Sequence, residues 1–324
     1  MKKIEFSKID AKSLKTELLS HANILALLLV VLVFWIINPS FLNAYNMKNL
    51  MTNMAPLLVM ACGATYVRLL GSLDLSMGAV CSCANVMLVK LFPQMGFAAY
   101  LVAMAFGMLT GFILGFIHTK LKIPSFIASL GMMNVYNSVA LLICEYPELI
   151  QKSEKVYISW AKKSFGFFGV TAIIAIILMF VMHFIQKSTT FGKTLNLIGA
   201  NERTARISGV NVVKNKIIAF TVCGLTSALS GCVLAIKLQS SAPTVGSSFT
   251  LLAVAAVLIG GTSMTGGKGS VLKTFVGVMM ITVIQNGMII IGVDAFWSMI
   301  VFGLLILVAM ILTADRSGKN TIVK

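Results

Sequence analysis

The 324-residue chain is 58% hydrophobic, only 11% charged, and carries a formal net charge of +16. Soluble globular domains are roughly half apolar and a quarter charged, so this balance excludes a water-soluble fold. The positive charge does not imply nucleic acid either, because Lys and Arg fall in short segments between apolar runs, as retention on the cytoplasmic side of a bilayer requires.

Residues 1–21 carry Lys2, Lys3, Lys8, Lys12 and Lys15 against Glu5, Asp10 and Glu17, and form a cytoplasmic N-terminal segment. The apolar run 22–37 follows and ends in Asn38-Pro39-Ser40-Phe41-Leu42 rather than in a small-residue cleavage site. It therefore reads as a retained first helix, not a signal peptide. Further apolar runs lie near 54–70, 75–92, 97–118, 125–144, 167–186, 217–238, 249–262, 271–292 and 296–313. Together they predict about ten spans, since about 30 Å of hydrocarbon asks for roughly 20 apolar residues per helix. The expected fold class is all-α: a polytopic transmembrane helical protein with one membrane domain over 22–313 and a tail over 314–324. An even span count puts both termini on one side. With that side cytoplasmic, the large majority of the 26 lysines and arginines stay inside, as the positive-inside rule demands.

Three constellations interrupt this pattern. The first is Gly71-Ser72-Leu73-Asp74-Leu75-Ser76-Met77-Gly78-Ala79, between the second and third runs. A charge at membrane depth is costly and by default functional. Asp74 either caps the next helix, where its dipole favours negative charge, or contacts a transported molecule. Both roles are compatible if a broken helix lines the pathway.

The second lies in the basic inside segment 187–216, where Asn201 to Asn211 suits a two-turn helix outside the membrane. Asn201 caps it, Glu202 fits its first turn, Arg206 its last, and Gly209 ends it in the left-handed conformation. Two turns are not stable alone in water, so this helix must pack on other spans or enter a partner's groove. It is the candidate for force transmission.

The third is Gly260-Gly261-Thr262-Ser263-Met264-Thr265-Gly266-Gly267-Lys268-Gly269-Ser270. Its register fails as a phosphate loop, G-x-x-x-x-G-K-[ST]: Thr262 stands where the first glycine belongs, and Gly269 where the magnesium-binding Ser or Thr belongs. This chain is not expected to hydrolyse ATP, and the glycines instead permit a tight turn and close helix approach.

The six cysteines, Cys62, Cys81, Cys83, Cys144, Cys223 and Cys232, form no CxxC pair and read as small buried hydrophobes. His21, His118 and His183 are scattered near span ends, so neither a metal site nor a catalytic residue is expected. Polar residues within spans, Asp74, Ser76, Asn134, Asn137, Gln285 and Asn286, are candidates for a pathway, although such residues serve equally as interhelical glue.

In this order and spacing, the chain resembles the permease subunits of carbohydrate-uptake ABC transporters of the ribose, xylose and galactose type. The matching pieces are Gly71 to Gly78, Lys122-Ile123-Pro124-Ser125-Phe126-Ile127-Ala128-Ser129-Leu130-Gly131, Ile198 to Asn211, Ala242-Pro243-Thr244-Val245-Gly246, Gly260 to Ser270, Gln285-Asn286-Gly287 and Leu312-Thr313-Ala314-Asp315-Arg316. They span nearly everything from Leu50 onward. The resemblance implies a homodimeric pathway in the inner membrane, surrounded by lipid. It implies an ATPase subunit, which binds ATP and Mg, docked beneath Glu202, Ala205 and Gly209, and an external sugar-binding protein at the outer mouth. No cofactor is implied for this chain itself. The family's Gly-Gly-Ile-Asp-Leu-Ser is here Gly71-Ser72-Leu73-Asp74-Leu75-Ser76, which keeps the Asp and the Ser, whereas acidic residues common before span eight give way to Ser247, Ser248 and Thr250.

Other readings compete. An importer permease for a nucleoside or a signalling furanose fits the same polar residues. An ion-coupled secondary transporter would rely on Asp74 alone for protons, or on unwound backbone carbonyls for sodium. A membrane-embedded enzyme would need a nucleophile, base or metal cluster, and the sequence offers none.

Overall fold

The computed structural model describes residues 22–304, apart from positions 295, 298, 299 and 302. The N-terminal segment 1–21, most of the expected last span at 296–313, the tail 314–324 and the Leu312 to Arg316 match lie outside the described residues. Every predicted apolar run within them forms a helix: α1 (Ala22–Ile37), α2 (Ala44–Leu69), α3 (Met77–Met95), α4 (Ala98–Lys120), α5 (Ser125–Ile143), α6 (Val170–Ser188), α9 (Val212–Leu238), α10 (Ser247–Ile259) and α11 (Val271–Ile290), with α7 (Thr190–Ala200) and α8 (Glu202–Ile207) inserted between α6 and α9.

The boundaries follow capping chemistry. Helix α2 starts well before the predicted residue 54 because the Asn43 side chain accepts from Tyr45 N, while Asn46, Lys48 and Asn49 had disguised its first turns as a loop. Asn46 is nevertheless buried, its amide donating to Phe41 O at 2.7 Å and Asn286 Oδ1 at 2.8 Å. Thr189 caps α7, Asn201 caps α8 and Asn211 caps α9 through their side-chain oxygens. Gly209, at φ +82°, ends α8.

Seven described helices, α2 to α6, α9 and α11, are long and apolar enough to cross a membrane. Helix α10 is not. Its 13 residues reach about 20 Å, so the predicted span 249–262 is completed by the non-helical stretch before it. Helix α9 is the hub, packed on α4, α2 and α3. Small residues let the backbones close up: a Cβ on Gly224 would lie 2.8 Å from Gly111 N, one on Gly111 2.9 Å from Phe220 C, and one on Gly231 3.0 Å from Asn85 N.

The loops segregate to two ends, as alternating spans require. At one end Ile150 N donates to Gln239 O, Lys90 pairs with Glu148, Lys48 Nζ donates to Ser164 Oγ, and Tyr157 packs on Gly96. These belong to segments predicted outside, including the long loop with its 3-10 stretch Lys152–Lys162 and a two-stranded hairpin, β1 (Ser164–Phe165) with β2 (Phe168–Gly169). The other end gathers the segments predicted inside.

Candidate functional site

The inner end is a knot of four loops. Gly71 (φ +75°) turns the chain after α2, and Gly266 (φ +87°) and Gly267 (φ +76°) turn it between α10 and α11. These left-handed values favour glycine. The turns interlock, since Gly267 N donates to Leu69 O at 2.8 Å, and a Cβ on Gly71 would meet Thr265 O at 2.6 Å. Gly199 of α7 packs on the same Leu69 carbonyl and on Gly267. The Gln186 amide at the end of α6 binds the knot twice, donating to Gly269 O and accepting from Val271 N, both at 2.9 Å. Finally, Leu73 N donates to Ser125 Oγ at 3.1 Å, and the His118 ring bridges Ile123 O and the Ser72 hydroxyl. The Gly260–Ser270 stretch thus spends its turn on helix ends, and the amide of Gly267 is already engaged.

Helices α7 and α8 form a hairpin hung from this knot. Glu202 Oε2 accepts from Lys216 Nζ of α9 at 2.7 Å and Oε1 from Arg206 at 3.2 Å. Ala205 is buried beneath α8, whereas Ile207 is 78% exposed. A short helix thereby presents an apolar tip and Arg203 and Arg206 to the outside while fixed to the membrane block.

Above the knot the chain crosses into the bundle without helical structure. Asp74 is only 4% exposed; its carboxylate accepts from Ser76 N at 2.8 Å and Ser76 Oγ at 2.7 Å, just before α3 starts at Met77. Both bonds go to Ser76, the residue before the first turn of α3, so they close an Asx turn at the helix start, where negative charge is favoured, rather than cap N–H groups of the helix itself. Arg68, in the last turn of α2, is 9% exposed and shares a narrow crevice with Asp74, Ser72, Val254 and Val257. Its Nε has no hydrogen-bond partner among the described residues, and the crevice has room for about one water.

A second break faces this one. After α9 the chain returns along α3: Ala242 N donates to Asn85 Oδ1 at 2.7 Å, and Gly246 N to Ser82 Oγ at 2.9 Å. Gly246 ends up against Gly78, and a Cβ on Gly78 would sit 3.0 Å from the Gly246 carbonyl carbon. From Lys90, paired to an outer loop, to Gly78 is about 18 Å along α3, so α10 begins at depth. Ser82 and Asn85 were not among the sequence candidates; their spacing of three on one face was the available signal.

The sequence candidates divide. Asp74 and Ser76 sit together at the start of α3. Asn286 forms a reciprocal pair with Asn46, Nδ2 to Oδ1 at 3.0 and 2.8 Å, at the opposite end of α2 from the knot, and Gln285 beside it is partly buried. Asn134 and Asn137 lie on α5. The exposed residues of α1, α4 and α6 within the bilayer are apolar, such as Leu28, Leu32, Leu101, Phe112, Ile177 and Phe184. Helix α5 differs: Gly131, Asn134 and Ser138, on one face, are exposed. Just inward, Asn137 Oδ1 and the Tyr136 hydroxyl are buried with no partner among the described residues. Thr244, Ser247 and Ser248, at the start of α10, are also exposed.

Comparison with known proteins adds the lineage. Residues 46–310 match the family described as branched-chain amino acid transport system / permease component. The chain is 33% identical to the ribose import permease protein RbsC of Bacillus subtilis, covering 91% of this chain and 92% of that one. It is 29% identical to RbsC of Escherichia coli K12, covering 92% and 94%. Identity to the galactose/methyl galactoside import permease protein MglC of Haemophilus influenzae is 28%, covering 95% and 98%. The family's description names amino acids while these full-length relatives are named for sugars.

Proposed function

This chain belongs to the branched-chain amino acid transport system / permease component family, and from that premise we propose that it is the transmembrane subunit of an ABC importer that carries a monosaccharide of the ribose or galactose kind inward. The knot of inner loops carries this reading. An engine outside the membrane needs a rigid element outside the membrane that is joined to several span ends, and the α7–α8 hairpin is joined to α2, α9 and the α10–α11 loop. An ATPase subunit docks on its exposed Arg203, Arg206 and Ile207, with Glu202, Ala205 and Gly209 fixing its shape. ATP and Mg bind that partner, and this chain hydrolyses nothing.

Movement of the hairpin reaches the pathway through Leu69 and the Gly71 turn, which precede Asp74 and the start of α3. In this reading the cargo runs beside the crevice at Asp74 rather than in it, because that crevice has room for about one water. It passes along the exposed polar groups of α5 and the start of α10, where Asn134, Ser138, Thr244, Ser247 and Ser248 offer donors and acceptors to hydroxyls. Those groups face outward from a single chain, so the pathway is completed by a second copy of this subunit. Asp74 and Ser76 shape the path by anchoring α3, and Asn286 and Gln285 hold α11 to α2. A sugar-binding protein delivers cargo to the outer end, and the complex resides in the bacterial inner membrane.

The test is uptake of radiolabelled ribose and galactose by cells expressing the chain with its ATPase and binding protein. Gly209→Val forces a β-branched residue into the left-handed region at a cost of roughly 1–2 kcal/mol, confined to the end of α8. Uptake should vanish while membrane insertion persists; normal uptake would remove the hairpin from the coupling role.

A further inference from the structure

A wide groove lies away from the pathway, between α1 and α11 at their inner ends. It is lined by Asn23, Ile24, Gly260, Leu272, Lys273, Phe275 and Val276, with roughly 360 Å³ of free volume. That falls within the range of about 300–1,000 Å³ common for small-molecule sites. Farther out, Leu27, Val30 and Phe34 of α1 pack on Met279, Met280, Val283 and Ile284 of α11, and Phe34 covers Gly287. Nearer the inner end the groove opens beside α11, while Gly260 lies tight against the first turn of that helix, where a Cβ would meet the Lys273 carbonyl carbon at 2.7 Å.

We propose that this groove is a binding site for one anionic phospholipid of the cytoplasmic leaflet. The walls Ile24, Leu272, Phe275 and Val276 suit an acyl chain. Among the described residues the groove's one charge is Lys273, exposed on the first turn of α11, where helix polarity disfavours a cation and a capping role therefore does not explain it. No described carboxylate pairs with it, and α1, α11 and the Gly260–Ser270 loop contain no acidic residue. The Asn23 amide, close to Gly261, supplies a neutral donor beside it. Around the groove α1 exposes Leu25, Leu28, Leu29 and Leu32, a surface fit only for lipid tails. A cation at the headgroup level of an apolar wedge between spans is the pattern that selects an anionic headgroup over a zwitterionic one. The occupant holds α1 to α11 from below, where the protein itself leaves a gap.

The experiment is native mass spectrometry of the full-length chain in complex with its ATPase, released from nanodiscs of phosphatidylethanolamine with and without phosphatidylglycerol. One phosphatidylglycerol per permease should survive activation energies that strip phosphatidylethanolamine. Lys273→Gln should weaken that retention roughly fivefold, the scale of one lysine at a charged surface. Val276→Trp, which fills the wedge, should abolish it. Equal retention of both lipids, or retention unchanged in Lys273→Gln, would overturn the proposal. So would retention appearing only after residues 1–20 are deleted, which would make that segment the native occupant.

Discussion

Helices α9 and α5 both count as membrane spans, yet α9 is 67% buried and α5 only 22%. The difference shows in how each treats its polar atoms. On α9 they are consumed locally or by a neighbour: Ser227 Oγ donates to Cys223 O and Ser230 Oγ to Pro56 O, each at 2.7 Å. Among the described residues the Asn134 amide on α5 makes a single 3.4 Å contact, to its own helix, and Asn137 Oδ1 makes none. In a medium without water, a satisfied hydroxyl is structure, whereas an unsatisfied one is an invitation to a ligand or a partner chain. One helix is built to stay still and the other to meet something.

The sharpest way to break that contrast is to overfill α9. Gly224→Leu would push a side chain into the Gly107 carbonyl and Gly111, at a cost of about 3 kcal/mol or more, and should leave little folded protein in a detergent thermal-shift assay. An unchanged melting point would mean the close approach is not needed. Asn286→Ala tests a satisfied pair elsewhere; leaving the buried Asn46 Oδ1 without its donor, while Nδ2 keeps its bond to Phe41 O, should cost about 1–3 kcal/mol in the same assay. On α5 the expectation inverts. Asn134→Leu with Ser138→Leu should leave stability within about 0.5 kcal/mol but reduce sugar uptake roughly tenfold, the effect of losing a polar contact worth about 1.4 kcal/mol. Should stability fall and uptake per folded molecule hold, α5 belongs with α9 as scaffold. The smallest effect is expected at Arg206→Ala, which removes an exposed i,i+4 pair worth about 0.3–0.5 kcal/mol; its larger consequence should be in ATPase binding, read by co-purification.

Much of this was legible in the sequence because lipid makes hydropathy decisive. The order of spans and their two-sided loops follow from apolar runs alone, and α8 with its Asn201 cap and Gly209 stop follows from capping chemistry. Three features were not legible. The start of α2 hid behind Asn46 and Lys48, whose burial or pairing depends on residues more than a hundred positions away. The second break, Ala242 to Gly246, looked like an outer loop because its partners, Ser82 and Asn85, sit inside another helix. Arg68 reads as an inside charge near a span end, and nothing local shows that it is buried beside Asp74. Asn286 illustrates the limit from the other direction: an amide in a span is the same letter whether it lines a path or clasps Asn46.

The knot at the inner end has a consequence for how the chain tolerates change in length. Its strongest ties, Gly267 N to Leu69 O and Gln186 to both Gly269 O and Val271 N, run to main-chain atoms. Beyond Gln186 and the glycines of the turns, the number of residues between these ties is fixed more tightly than their side chains. An inserted tag or a single-residue deletion between Gly260 and Ser270 would slip every tie out of register at once. The outer 3-10 stretch Lys152–Lys162, anchored mainly by side chains such as Tyr157 and Trp160, is the better place to graft an epitope or a fluorophore.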